Sequence, residues 1–172
     1  MELPTGIPMT GILTESLHLN AVFRPDYAQG AGDPHTAAQA FPLTLAKYRP
    51  RVLVDDEERL VRWSLCEMLS GARYQVVDAQ NGREARAAMA DQAHPVDVML
   101  VDPKLPDGDG LLLVHEARHG RLPCSVLVMT AYGSVEAIEA ALTAGADRVI
   151  LKPFDLDDLL CLVRQVCPAA TA

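Results

Sequence analysis

Four stretches of the sequence end in residues able to do chemistry together. "VLVDDEE" places Asp55, Asp56 and Glu57 behind an apolar run, and "MLVDPK" places Asp102 behind another. "VLVMT" ends in Thr130, and "VILKP" ends in Lys152-Pro153. Carboxylates crowded into one place raise each other's pKa unless a cation neutralises them. An oxygen-only set suits a hard divalent ion, and Mg²⁺ accepts a few carboxylates together with water and phosphate. The lysine adds a positive point charge and the threonine a hydroxyl. Such a set can receive a phosphoryl group and hold its charge. Each piece alone has a plainer reading. An Asp pair before a helix caps it and meets its dipole, a threonine there is a turn residue, and Lys-Pro is a loop. The weight lies in all four occurring together.

Those residues act together only if the elements before them line up. From Arg51 the chain alternates between short apolar runs and helical patterns. "RVLV" is a strand, and "DEERLVRWSLCEMLSG" is a helix with Leu60, Val61, Leu65, Met68 and Leu69 at helical spacing and Gly71 as its stop. "YQVVDA", "VDVMLVD", "SVLVMT" and "RVIL" read as further strands. "GREARAAMAD", "SVEAIEAALTAG" and "DLDDLLCLVRQV" read as helices, with Ser134 and Asp155 as caps of the last two, and "GDGLLLVHEARHG" reads as a turn and then a helix, "LPDGDG" having the Pro and Gly content of a sharp reversal. Strand runs that do not alternate with polar residues are buried on both faces, which means a parallel sheet covered by helices on each side. Ligands of such sheets collect at the carboxyl ends of the strands, where all four stretches end.

The first 50 residues differ. They hold Pro4, Pro8, Pro25, Pro34, Pro42 and Pro50, half of the 12 prolines, and no sustained periodicity. Leu13, Leu17 and Val22 could line one short helix at most. The stretch 1–50 therefore reads as a flexible or weakly ordered extension, 51–167 as the folded domain and 168–172 as a tail. The chain of 172 residues has a net charge of -8, of which the extension carries only -1. This acidity argues against direct nucleic-acid binding. No apolar stretch is long enough to span a membrane, and no secretory signal pattern opens the chain. Cys66, Cys124, Cys161 and Cys167 form no C-x-x-C pair and have no accompanying histidines at zinc spacing, which predicts reduced thiols and a cytoplasmic setting.

The stretches "VLVDDEE", "MLVDPKLPDGDGLLL", "VMTAYGSVEAIEAALTAGAD" and "VILKPFDLDDLL" resemble, in order, the receiver domain of two-component response regulators. "RWSL" and "AYGSVEAIEAALTAGA" are most similar to receivers of the nitrogen-regulation activator type. The resemblance implies a flavodoxin-like, doubly wound α/β fold, with a five-stranded parallel sheet in the order 2-1-3-4-5 and five helices. It implies that Asp102 accepts a phosphoryl group from a sensor histidine kinase or a histidine phosphotransfer protein. Asp56 would bind Mg²⁺ directly, Asp55 directly or through water, and the backbone carbonyl of Lys104 would be a further ligand. Thr130 would hydrogen-bond the phosphoryl oxygen. Lys152 would pair with Asp102 at rest and with the phosphoryl group afterwards, and the Lys152-Pro153 bond would be cis. The phosphorylated domain would hydrolyse its own phosphoryl group. A homodimer would use the face of the fourth helix, fifth strand and fifth helix, where Val149 and Leu162 are candidates, although core packing explains both equally well.

The sequence departs from that pattern at Val149, where receivers carry Tyr or Phe, and at Pro103, where an aliphatic residue is commoner. Tyr132 and Lys104 occupy positions that tune dephosphorylation. The alternative to a phosphorylated switch is a pseudo-receiver or adaptor that binds partners without phosphoryl transfer, and Val149 alone favours it. A haloacid-type phosphatase needs a D-x-D motif, which "VDDEE" lacks. His94, His115 and His119 read as surface residues, the last two lacking a third metal ligand. Trp63 reads as a packing residue of the first helix, with partial exposure as the other reading. Only "PAATA" follows Cys167, so a stand-alone receiver and a piece of a larger regulator both remain open.

Overall fold

In a computed structural model of the chain, residues 21–23 and 48–168 are described. The element order is β1 (Ala21–Phe23), β2 (Arg51–Asp55), α1 (Arg59–Gly71), β3 (Gln75–Ala79), α2 (Gly82–Met89), β4 (Val98–Val101), β5 (Lys104–Leu105), β6 (Gly108–Asp109), α3 (Gly110–His119), β7 (Ser125–Thr130), α4 (Val135–Ala144), β8 (Arg148–Leu151) and α5 (Leu156–Val166). The main sheet runs β1-β8-β7-β4-β2-β3. Its five strands from β3 to β8 are mutually parallel, which is the order 2-1-3-4-5 expected for the repeating part. The sixth, β1, pairs antiparallel with β8 and comes from the N-terminal extension. Val22, a candidate for a short helix in the sequence, lies in this strand.

Alternation along the buried strands feeds two cores. Val52, Val54, Val98, Leu100, Leu127, Met129 and Ile150 pack with Leu65 and Leu69 of α1 and Leu159, Leu162 and Val163 of α5. Leu53, Met99, Val101, Val126, Val128 and Val149 pack on the opposite face with Ala85 of α2, Leu113 and Val114 of α3 and Ala141 of α4. Burial on both faces is why these strands are continuously apolar rather than alternating. Leu162 and Val149 are core residues in this arrangement.

The helix signals are realised with local differences. Ser134 Oγ accepts from the Ala137 N–H, and Asp155 accepts from the N–H groups of Asp157 and Asp158. Gly71 is the last residue of α1, and the left-handed conformation falls instead on Arg73, at φ 71°. Trp63 is 62% exposed and Leu60 79%, so neither is a core residue. Both lie on α1 outside the stripe formed by Leu65 and Leu69, and helical spacing alone does not fix where that stripe begins. Pro50 already belongs to the sheet, since its carbonyl accepts from the Gln75 N–H. Tyr48 Oη donates to Asp97 Oδ1 at 2.6 Å, and burial with this bond pushes the phenol up to about 12. The four cysteines are free, and His94, His115 and His119 are exposed. Among the described residues no helix is long and apolar enough to cross a membrane.

Candidate functional site

Strand register brings the candidate residues to one edge. Asp55 stands opposite Val101, Val101 opposite Val128, and Thr130 opposite Leu151. Asp102 follows β4 directly, and its N–H donates to the Asp55 carbonyl at 2.9 Å. Lys152 follows β8, and its N–H donates to the Thr130 carbonyl at 2.8 Å. Asp55, Asp56, Asp102 and Thr130 are all buried. The parallel sheet therefore gathers all four sequence stretches, as their positions at strand ends require.

Lys152 lies at the centre. Its Nζ is 2.5 Å from Asp102 Oδ2, 2.8 Å from Asp56 Oδ2 and 3.5 Å from Glu58 Oε1. Burial alone would push this ammonium down, but hydrogen bonds to Asp102 and Asp56 outweigh it and hold it above its ordinary value. Burial raises Asp56, and the bonds from Lys152 and the Glu58 N–H oppose that rise. The Lys152-Pro153 bond is cis.

Asp55 has a different environment. Neither carboxylate oxygen has a hydrogen-bond partner, and both are buried. Burial, then the charges of Asp107, Asp56 and Asp102, push it up to about 7. A buried carboxylate with no partner is costly, so these two oxygens call for a proton or a cation. Among the described residues, the ligand oxygens that lie within 4.8 Å of one another belong to Asp56, Glu58 and Asp102, a group that could hold a metal ion. Only hard oxygen donors are present, which fits a hard divalent cation.

The acidic run divides its work in a way that the sequence does not show. Glu58 joins the carboxylate group and serves as the N-cap residue of α1. Glu57 instead pairs with Lys104 Nζ at 3.1 Å. The difference follows from the turn after Asp56, which aims successive side chains apart. Glu58 is the residue whose N–H Asp56 Oδ1 captures, at 2.8 Å. The two-residue hop of an Asx turn is the sequence signal for it.

The segment after Asp102 is a small hairpin, β5 against β6, turning at Pro106-Asp107. Its Lys104 N–H donates to Asp102 Oδ1 at 2.7 Å, orienting that carboxylate. Asp107 clamps the turn to α2 by accepting from the N–H groups of Gly82 and Arg83, at 2.8 and 3.0 Å, and these bonds hold its carboxyl below the usual range. The start of α3 closes on the other side, with the Gly110 N–H donating to the Pro103 carbonyl at 2.8 Å. A Cβ at Gly110 would sit 2.0 Å from the Asp102 carbonyl oxygen, so only glycine allows this approach. Thr130 Oγ1 accepts from the Tyr132 N–H at 3.0 Å, which leaves its own proton to donate elsewhere. Tyr132 itself is exposed, and Val149 is fully buried.

Comparison with known proteins agrees with this geometry. The family model of the response regulator receiver domain matches residues 52–164. The regulatory protein AtoC of Escherichia coli is 38% identical over 115 residues, covering 67% of this chain and 24% of that protein. The DNA-binding transcriptional regulator NtrC of Salmonella typhimurium is 37% identical over 116 residues, covering 66% of this chain and 24% of that protein. The chain thus spans about a quarter of the length of these relatives. The structure of a CheY-like receiver domain protein from Methanospirillum hungatei superposes with a TM-score of 0.64 at 30% identity, covering 69% of this chain and 93% of that one. The family, the sheet order and the acidic edge coincide, and the chain belongs to the response regulator receiver domain family.

Proposed function

We propose that the chain is a phosphorylatable switch in which Asp102 accepts a phosphoryl group from a phosphohistidine of a sensor histidine kinase or phosphotransfer protein. The observation that carries this reading is the Lys152 ammonium bridging Asp102 and Asp56, beside the partnerless Asp55. In the transfer, a carboxylate oxygen of Asp102 bonds to phosphorus, the P–N bond to the donor imidazole breaks, and the imidazole keeps that electron pair. Lys152 reduces the repulsion between the two anions and follows the charge onto the phosphoryl oxygens. The Thr130 hydroxyl donates to one of those oxygens. The Lys104 N–H, already bonded to Asp102 Oδ1, fixes which oxygen attacks. Asp55, Asp56, Asp102 and the Lys104 carbonyl would hold Mg²⁺, with Glu58 beside them. When bound, the ion supplies charge neutralisation at the developing phosphoryl oxygens. Water attack on the acyl phosphate would return the resting carboxylate. The protein is read as cytoplasmic, where a kinase would meet it. A partner-binding module without phosphoryl transfer rests on Val149 alone, since no ring is present there to move.

Beryllofluoride titration tests this reading. With Mg²⁺ present, the backbone amides of Thr130 and Lys152 should shift in an NMR spectrum, and without Mg²⁺ they should not. Unchanged spectra under both conditions would leave only the partner-binding reading. Trp63, largely exposed on α1, is a poor reporter of this event.

A further inference from the structure

The five parallel strands leave two outer edges. At β3 the edge carries the exposed polar residues Gln75 and Asp78. At β8 it reads Arg-Val-Ile-Leu, without proline, lysine or an acidic residue. Arg148 is its single charged residue, and the apolar run of Val149, Ile150 and Leu151 carries no such guard and pairs readily with another strand. In this structure β1 lies along it, with Ala21 opposite Ile150, Val22 opposite Val149 and Phe23 opposite Arg148. The Lys152 N–H turns inward to Thr130. Alternation along the strand therefore turns the N–H and C=O of Val149 outward, onto Val22.

The sequence of the segment suits this role. Val22 and Phe23 favour extended structure, and Pro25 bars continuation of the strand. The order β1-β8-β7-β4-β2 sets β1 four strands from β2, about 19 Å at the usual spacing. The 24 residues between Phe23 and Tyr48 can extend to about 80 Å, so a chain reaches its own edge with slack.

We propose that the outer edge of β8 is a strand-acceptor site occupied by the chain's own Ala21–Phe23, and that displacing this segment opens it to the β8 edge of a second copy. Two β8 strands related by a two-fold axis run antiparallel, and each presents the same outward N–H and C=O groups to the other. This contact is closed and self-complementary, so it yields a dimer rather than a filament. The proposal does not depend on phosphorylation, because the edge is closed in the resting arrangement.

The test is Val22→Pro, which removes the N–H facing Val149 and leaves the parallel strands intact. Val22→Thr serves as the variant that keeps a strand-forming residue. In the parent, the Val149 amide should exchange slowly and light scattering should report a monomer. In Val22→Pro, that amide should exchange at least about tenfold faster at low protein concentration. The same variant should dimerise as concentration rises. Adding the peptide LNAVFRPD, residues 19–26, should restore the monomer. Val22→Thr should behave as the parent, and all three proteins should keep a cooperative melting transition. Unchanged Val149 exchange in Val22→Pro would show that β1 does not hold the edge. A variant that stays monomeric at every concentration, a dimer that the peptide leaves intact, or a parent that is itself dimeric would each overturn the proposal.

Discussion

At the scale of single residues, the site is governed by one cation shared among carboxylates. Replacing Lys152 by Ala should slow phosphoryl incorporation from a small donor at least about a hundredfold, because the charge that receives the phosphoryl oxygens is gone. Lys152→Arg should not restore it, since the guanidinium is a planar fork rather than a compact point charge. A rate within a few-fold of the parent in either variant would contradict the role given to Lys152. Asp55 makes a prediction about pH. Its pKa rises from 3.8 to about 7 on folding, so the folded chain keeps a proton that the unfolded chain has released. That stability is complete below about pH 4 and is lost as pH rises through about 7. In chelator, the melting temperature should therefore fall between about pH 5 and pH 8, and Asp55→Asn should flatten the fall. Carboxylates held below their ordinary range, such as Asp107, act below that window. A parent whose melting temperature rises across the window would refute the account of Asp55. Asp55, Asp56, Asp102, Thr130 and Lys152 were legible because each ends a strand and a parallel sheet sends strand ends to one place. Glu58 was not, because the turn after Asp56 decides which of two adjacent glutamates comes within reach of Lys152.

At the scale of elements, close backbone approaches hold the loop that carries Asp102. Gly110→Ala should destabilise the fold by at least about 2 kcal/mol, because its Cβ would meet the Asp102 backbone rather than a flexible side chain. A denaturant midpoint unchanged in this variant would show that α3 does not close on the loop as described. Asp155→Ala should cost about 1 kcal/mol through loss of the α5 cap, with the same measurement as the check. Strands and helices from Arg51 onward were legible because burial on both faces writes continuous apolar runs, and Ser134 and Asp155 mark helix starts chemically. The hairpin of β5 and β6 was visible only as turn composition, since two-residue strands carry no periodicity. β1 was invisible for the same reason, being three residues long and defined by the edge it meets. The exposure of Trp63 was hidden because spacing gives a stripe's period but not its phase.

At the scale of the whole molecule, the sheet does two jobs. It separates two apolar cores, and it delivers an acidic edge with one lysine to a single place. The net charge of -8 therefore has a local meaning, since several of its carboxylates meet at that edge. The central claim is that this edge transfers a phosphoryl group to Asp102. Incubating the chain with phosphoramidate and Mg²⁺ and measuring its intact mass tests this directly. The account predicts a gain of one phosphoryl group that needs Mg²⁺, is absent from Asp102→Ala and disappears with time through hydrolysis. No gain in the parent, or the same gain in Asp102→Ala, would contradict it.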